Sequence, residues 1–251
     1  GSIVATNYLY NVAPKDGTAI GLVQRGNMLA NIVRQSVQFD LLRDFTFISM
    51  LTQYPFVFWV SSQSPFKTLS DMLDFARKNP GKISYGTSGV GNTLHMSVEL
   101  MSYMTGTQMT HVPYKGPTAY TDVAAGILDM AVGTFAVGRG LYKEGRIRPL
   151  AVTSPKRWME WNEIPAVAET VPGYESTIWW GLFAPKTTSA DTIATVHGLV
   201  SSTLTSPELL RRLAEQGAVP APMSSAEFGK LMASETNKWL EVIRVAGIKG
   251  E

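Results

Sequence analysis

The chain has no cysteine, which excludes disulfide staples, thiol nucleophiles and cysteine-held metals together. It also lacks charge of one dominant sign. Its 22 basic and 20 acidic residues are well mixed and leave a net charge of +2. Without the basic stripe that follows a phosphate backbone, no nucleic-acid partner is expected. Long hydrophobic runs are missing too. The longest candidates, such as Phe56-Val57-Phe58-Trp59-Val60, are strand-sized, against the roughly 20 residues a spanning helix needs. Histidine is scarce: His95 and His111 are not spaced as a local metal pair, and no His/Asp/Glu cluster stands near either in sequence. No metal and no other cofactor is therefore expected.

What is present is a globular composition, with 45% hydrophobic and 17% charged residues. A chain of 251 residues is long enough for one large domain or two small lobes. The opening GSIVATNYLYNVAPKDG reads as a helix followed by the turn Pro14-Lys15-Asp16-Gly17, not as a signal peptide, and so abrupt a start suggests an upstream segment removed. Strand-like and helix-like runs then alternate. Ile20–Val23, Phe45–Leu51 and Phe56–Val60 read as strands, and Leu69, Met72, Leu73 and Ala76 mark a helix face at i, i+3, i+4, i+7. The alternation continues to residue 184, followed by helical patterns at 191–204, 207–216 and 224–246. Alternating elements joined by short loops predict an α/β fold with parallel sheets.

The stretch YGTSGVGNTLHMSVELMSYMTG, residues 85–106, runs from a strand through a glycine- and hydroxyl-rich loop into a helix. Such a loop suits an acyl group under attack, a nucleotide phosphate, or a small anion that is bound and released. The nucleophile elbow G-x-S-x-G fails, because Val90 stands where its last glycine belongs. The dinucleotide fingerprint fails at Leu94, and no Gly-Lys-Ser/Thr of a phosphate loop occurs. A helix start with unpaired amides binds a carboxylate without an arginine; Thr87 and Ser88 add adjustable donors. The same stretch also reads as an ordinary glycine-assisted turn, with His95 as a packed or capping helix residue.

Two later loops repeat the pattern. Tyr114, Lys115 and Gly116 lie between a strand and a helix expected to open at Pro117; Gly133 and Thr134 follow another strand. Lys115 could steer an anion, or simply be solvated. All three loops are expected at the carboxyl ends of strands, where ligands bind in open α/β sheets. Trp179, Trp180 and Phe135 are candidates to wall a pocket or to pack in a core.

YGTSGVGNTLHMSVELM, MTHVPYKGPTAYTDVAAGILDMAVGT, RIRPLAVTSPKR, EIPAVAETVPGYE and WWGLFAPKTT occur in an order and spacing that resembles the Bug-type extracytoplasmic receptors of tripartite tricarboxylate transporters. The resemblance runs through the whole chain. It implies a periplasmic two-lobed binding protein of type II, a Venus flytrap, with lobe 1 at 1–55 and 179–251 and lobe 2 at 56–178. It implies a monomer, not an enzyme, that captures a small organic carboxylate and hands it to membrane permease subunits. The ligand contacts it implies are Ser88, Gly89, Gly91, Asn92 and His95 in one loop, Tyr114, Lys115 and Gly116 in the next, and Thr134 in the third. Thr87 joins them from the local reading. The first strand and helix of lobe 1 are expected to lie before Gly1, which leaves Arg25 and Asn27 as first-lobe contacts. The alternatives are a serine hydrolase-like enzyme using Ser88 with a distant His95 or His111, and a ligand sensor for a signalling partner.

Overall fold

A computed structural model describes residues 2–14, 16–33 and 37–248. Lys15, part of the expected first turn, lies outside the described residues. In chain order the elements begin with α1 (Ser2–Asn11), β1 (Gly21–Gln24), α2 (Arg25–Val33), α3 (Leu41–Asp44) and β2 (Phe45–Tyr54). Next come β3 (Val57–Ser61), α4 (Leu69–Lys78), β4 (Ser84–Thr87), α5 (Thr93–Thr105), β5 (Thr110–Pro113), α6 (Thr118–Ala124), β6 (Met130–Gly133), α7 (Phe135–Lys143), β7 (Ile147–Val152) and α8 (Val167–Thr170). The tail is β8 (Ile178–Pro185), α9 (Ala190–Thr203), α10 (Pro207–Glu215), β9 (Val219–Pro220) and α11 (Ser225–Ala246). The α/β class is as expected, and the chain divides into two compact units, Gly1–Gln53 with Ile178–Glu251, and Tyr54–Thr177.

The first unit carries a sheet in the order β1-β8-β2-β9, with β1 antiparallel to β8 and β2 antiparallel to β9. Helix α11 starts at a capping box, Ser224 with Glu227, that satisfies two backbone amides the first turn leaves open. It buries Phe228, Met232, Trp239 and Val242, and the Phe228 ring meets Phe47 at 5.3 Å and Trp179 at 5.5 Å.

The same interior holds a charge cluster. Arg25, at the start of α2, is 1% exposed, and its guanidinium lies 2.7 Å from Glu235 of α11. Glu235 also faces Lys238 at 2.8 Å and accepts a hydrogen bond from Trp239 Nε1 at 3.0 Å. Burial pushes the Glu235 carboxyl up, but the charges of Arg25 and Lys238 and the hydrogen bonds from Lys238 and Trp239 outweigh it and hold it below its ordinary value.

The second unit carries a sheet in the order β5-β4-β6-β3-β7. Strand β4 is parallel to β5 and β6, whereas β3 is antiparallel to both β6 and β7. This corrects the expectation of parallel sheets. Every residue of β3 is buried, so the strand reads as a continuous apolar run whichever way it points. Its direction is set by distant partners, Val57 lying opposite both Gly133 and Val152. The core of this unit packs Val57, Trp59, Tyr120, Val123 and Leu128 against Ile147 and Val152. Helix α4 covers the sheet through Leu69, Met72, Leu73 and Ala76, the face the periodicity predicts, and Thr68 with Asp71 caps it.

Thr153, which follows β7, closes the unit. Its N–H donates to Phe56 O at 2.9 Å and its Oγ1 accepts from Phe56 N at 2.8 Å. On the other side its Oγ1 donates to Ser176 O at 2.9 Å, and its carbonyl accepts from Ser176 N at 2.9 Å.

Candidate functional site

Because β5, β4 and β6 are adjacent and parallel, their carboxyl ends, Pro113, Thr87 and Gly133, emerge on one edge of the sheet. The three loops singled out in sequence start there. Their convergence therefore follows from strand order, not from long excursions of the loops.

The first loop is built around two unusual backbone conformations, Gly89 at φ 138° and Gly91 at φ 70°. No atom lies within 4 Å of a Cβ placed on Gly91, so the left-handed conformation, not crowding, calls for glycine there. Asn92 caps α5: its Oδ1 accepts from His95 N at 2.9 Å while its Nδ2 donates to Ser88 Oγ at 2.9 Å. The amides of Thr93 and Leu94 are the first two of the helix and have no intrahelical acceptor. They sit at the positive end of the α5 dipole, where a carboxylate is favoured.

Beneath this loop the structure assembles a cluster that sequence spacing did not reveal. The His95 and His111 rings stack 4.0 Å apart at 20°. His95 Nε2 lies 3.5 Å from Glu99 Oε1, which also accepts from the Tyr85 hydroxyl at 2.5 Å. His95 Nδ1 accepts from Gly91 N at 2.9 Å, and His111 Nε2 meets Thr87 Oγ1 at 2.7 Å. Burial, then the His95 ring, pull the His111 imidazole down from 6.5 to about 4, although Glu99 acts the other way. Burial raises the Glu99 carboxyl, yet hydrogen bonds from His95 and Tyr85 and the histidine charges bring it net below its ordinary value. Burial, followed by the charge of Glu99 and the hydrogen bond to it, pushes the Tyr85 phenol far up, so it stays protonated. Glu99 lies four residues after His95, on the same helix face; that spacing was the local signal for the cluster.

The second loop is tied to the first by Tyr114 N, which donates to Thr87 O at 2.8 Å. The Tyr114 hydroxyl donates to Asp122 Oδ2 at 2.7 Å, and burial together with that bond pushes the phenol up to about 12. Lys115 is exposed, Gly116 has φ 108°, and α6 opens at Thr118 with Pro117 as its cap, one residue later than expected.

In the third loop Thr134 is the cap of α7 but makes no side-chain cap bond, so its half-buried hydroxyl remains for another partner. A Cβ on Gly133 would come within 1.7 Å of the Tyr120 hydroxyl, so only glycine fits that strand end. Phe135 stacks on Trp161 at 4.0 Å and touches the Trp59 ring at 5.6 Å, which makes it part of the packing of this unit. Trp179 is 2% exposed and belongs to the first unit's core.

Thr87, Ser88, Gly89, Gly91, Asn92, His95, Tyr114, Lys115, Gly116 and Thr134 thus share one sheet edge. Arg25 and Asn27 lie in the first unit, where both side chains are buried. Asn27 Oδ1 accepts from Gln24 N at 3.1 Å and its Nδ2 donates to Thr6 Oγ1 at 3.1 Å, which fixes the turn from β1 into α2. Among the described residues of the three loops, Ser88 is not hydrogen-bonded to a histidine. Ser88 Oγ is met by Asn92, His95 uses its nitrogens on Gly91 and Glu99, and His111 Nε2 is on Thr87. Among the described residues, no group of three or more His, Cys, Asp or Glu could hold a metal ion.

Comparison with known proteins agrees with this geometry. The sequence profile described as "Tripartite tricarboxylate transporter family receptor" matches residues 1–248. A UPF0065 protein from the tcbD–tcbE intergenic region of a Pseudomonas species is 30% identical over 97% of this chain and 73% of its own length. Protein BugT of Bordetella pertussis is 24% identical over 85% of this chain, which spans 66% of that relative's length. Among solved structures, an R. palustris protein with adipate is 31% identical, with a TM-score of 0.81 over 99% of this chain and 85% of that one.

Proposed function

Because the chain belongs to the receptor family of tripartite tricarboxylate transporters, we propose that it captures a small organic carboxylate in the periplasm and delivers it to the membrane permease of such a transporter. The observation that carries this reading is the convergence of three donor-rich loops on the carboxyl edge of β5, β4 and β6. The contacts proposed are the amides of the 88–92 loop and of the α5 start, with Ser88 Oγ, Asn92 and the uncommitted Thr134 hydroxyl. Lys115 is the basic residue these loops offer, and it is exposed, so amides and hydroxyls carry most of the recognition. Charge-assisted hydrogen bonds from such donors are the strong kind, and a preformed loop holds them in place before the ligand arrives. No helix among the described residues is long and apolar enough to cross a membrane.

The adipate-bound relative makes linear dicarboxylates the first probes. Calorimetric titration of the whole chain with adipate, shorter and longer dicarboxylates, monocarboxylates and citrate tests the reading. A Thr134→Val substitution is expected to weaken the best of these by roughly 10- to 150-fold, the worth of one hydrogen bond to a charged group, with an unchanged melting midpoint. If the wild-type chain binds none of the series, the proposal fails.

A further inference from the structure

The glycine loop rests on an imidazole whose protonation state the backbone dictates. A peptide N–H can only donate, so the 2.9 Å bond from Gly91 N to His95 Nδ1 needs a bare lone pair on that nitrogen. The neutral ring then carries its proton on Nε2, towards Glu99 Oε1 at 3.5 Å. A second proton would have to enter at Nδ1 and would set two donors face to face. Four groups surround the ring: Glu99 on its own helix, Tyr85 from β4 at 6.1 Å between ring centroids, His111 from β5 at 4.0 Å, and the Gly91 amide. Glu99 Oε1 faces Nε2, and the His111 ring stacks on one face of the imidazole. The His95 side chain is 7% exposed, so the imidazole cannot swing into water to escape the conflict.

We propose that His95 is a positioning residue for the ligand loop: its Nδ1 fixes the Gly91 amide and with it residues 88–92, and protonation at Nδ1 releases the loop and weakens binding. The consequence for ligand capture rests on the carboxylate-receptor reading above; the tether itself does not. Loss of the Gly91 bond frees a residue already in the left-handed conformation, φ 70°, beside the Asn92 cap that opens α5. The donors proposed for the ligand flank that residue on both sides. Acid therefore unloads the receptor through its own backbone, without a titrating group in contact with the ligand.

Two substitutions separate the nitrogens of the ring. Asparagine at 95 offers an oxygen where Nδ1 stands; glutamine reaches the Nε2 position and leaves Gly91 unserved. The Gly91 amide of 15N-labelled, ligand-free whole chain is followed by NMR from neutral to mildly acidic buffer. It is expected to titrate in the wild type, to hold still in His95→Asn, and to exchange with solvent at least tenfold faster in His95→Gln. With adipate as probe, wild-type affinity is expected to fall roughly tenfold on acidification, the worth of about one hydrogen bond. His95→Asn should lose that pH dependence, and His95→Gln should bind weakly at every pH. A wild-type Gly91 amide that ignores pH overturns the proposal, as does a His95→Gln variant with wild-type affinity. If adipate and its homologues do not bind the wild type, the receptor reading fails while the amide measurement still decides the tether.

Discussion

Replacing Glu235 by glutamine removes the carboxylate that faces Arg25 at 2.7 Å inside the first unit, while it keeps the size of the side chain. The two side chains are 2% and 10% exposed, so water cannot take over the lost interaction. Breaking one half of a buried ion pair costs about 3–5 kcal/mol. Glutamine can still accept from Trp239 Nε1, so the lower end, about 3 kcal/mol, is expected. For a chain of this size that corresponds to a fall in melting midpoint of roughly 6–12 °C. Urea unfolding followed by tryptophan fluorescence measures it directly, because Trp239 lies in the cluster with Arg25 5.3 Å from its ring. The control is the paired substitution of Arg25→Met with Glu235→Leu, which removes both charges and restores apolar packing. It is expected to recover at least half of the loss, since an apolar pair of similar volume commonly matches a buried salt bridge. Stability is also linked to pH. The folded Glu235 carboxyl is held below its ordinary 4.5, so its contribution is present above that value and lost as pH falls through the folded one. A single Glu235→Gln variant within about 1 kcal/mol of wild type, or a paired variant worse than the single, would refute the reasoning.

Two further outcomes follow from the second unit. Gly133→Ala drives a methyl group against the Tyr120 hydroxyl, 1.7 Å from the ideal Cβ position, and should cost about 1–3 kcal/mol in chemical denaturation; Tyr120→Phe in the same chain should recover much of it, and no recovery would refute the hydroxyl clash as the cause. His111 is a base held low, from 6.5 to about 4, so its neutral form contributes stability above 6.5 that drains away as pH falls towards 4. Urea midpoints across that window should fall less steeply in His111→Gln, and equal slopes in the two proteins would show that the imidazole is not the titrating group.

The α/β class, the helix faces and the three loops were legible because they are local. Leu69, Met72, Leu73 and Ala76 declare their face by spacing alone, and glycine with hydroxyls between a strand and a helix marks a turn wherever it occurs. Strand direction was not legible, because the all-buried β3 has no alternation to lose and its partners lie far along the chain. The histidine stack was missed for a related reason. His95 sits on α5 and His111 on β5, and only the pairing of β4 with β5 brings Tyr85 opposite His111 and the two rings together. The partner of Arg25 was out of reach for the same reason. The chain is already helical at Arg25, and Glu235 lies on the last helix, beyond any sequence window.

The Thr153 staple has an implication for how such a molecule can be rebuilt. One buried residue holds Phe56, just after the chain enters the second unit, and Ser176, just before it leaves. Entrance and exit are thus neighbours, and the span from 54 to 177 has the form of an insert carried within another domain. Joining two points already held together costs little chain entropy, which is the condition for excising such a segment or grafting it into a foreign host. Val57 lies opposite Gly133, so the stitched ends sit on the same sheet edge as the three glycine-bearing loops. A transplanted segment would carry its loops beside the junction, where any pull exerted by the host is felt first.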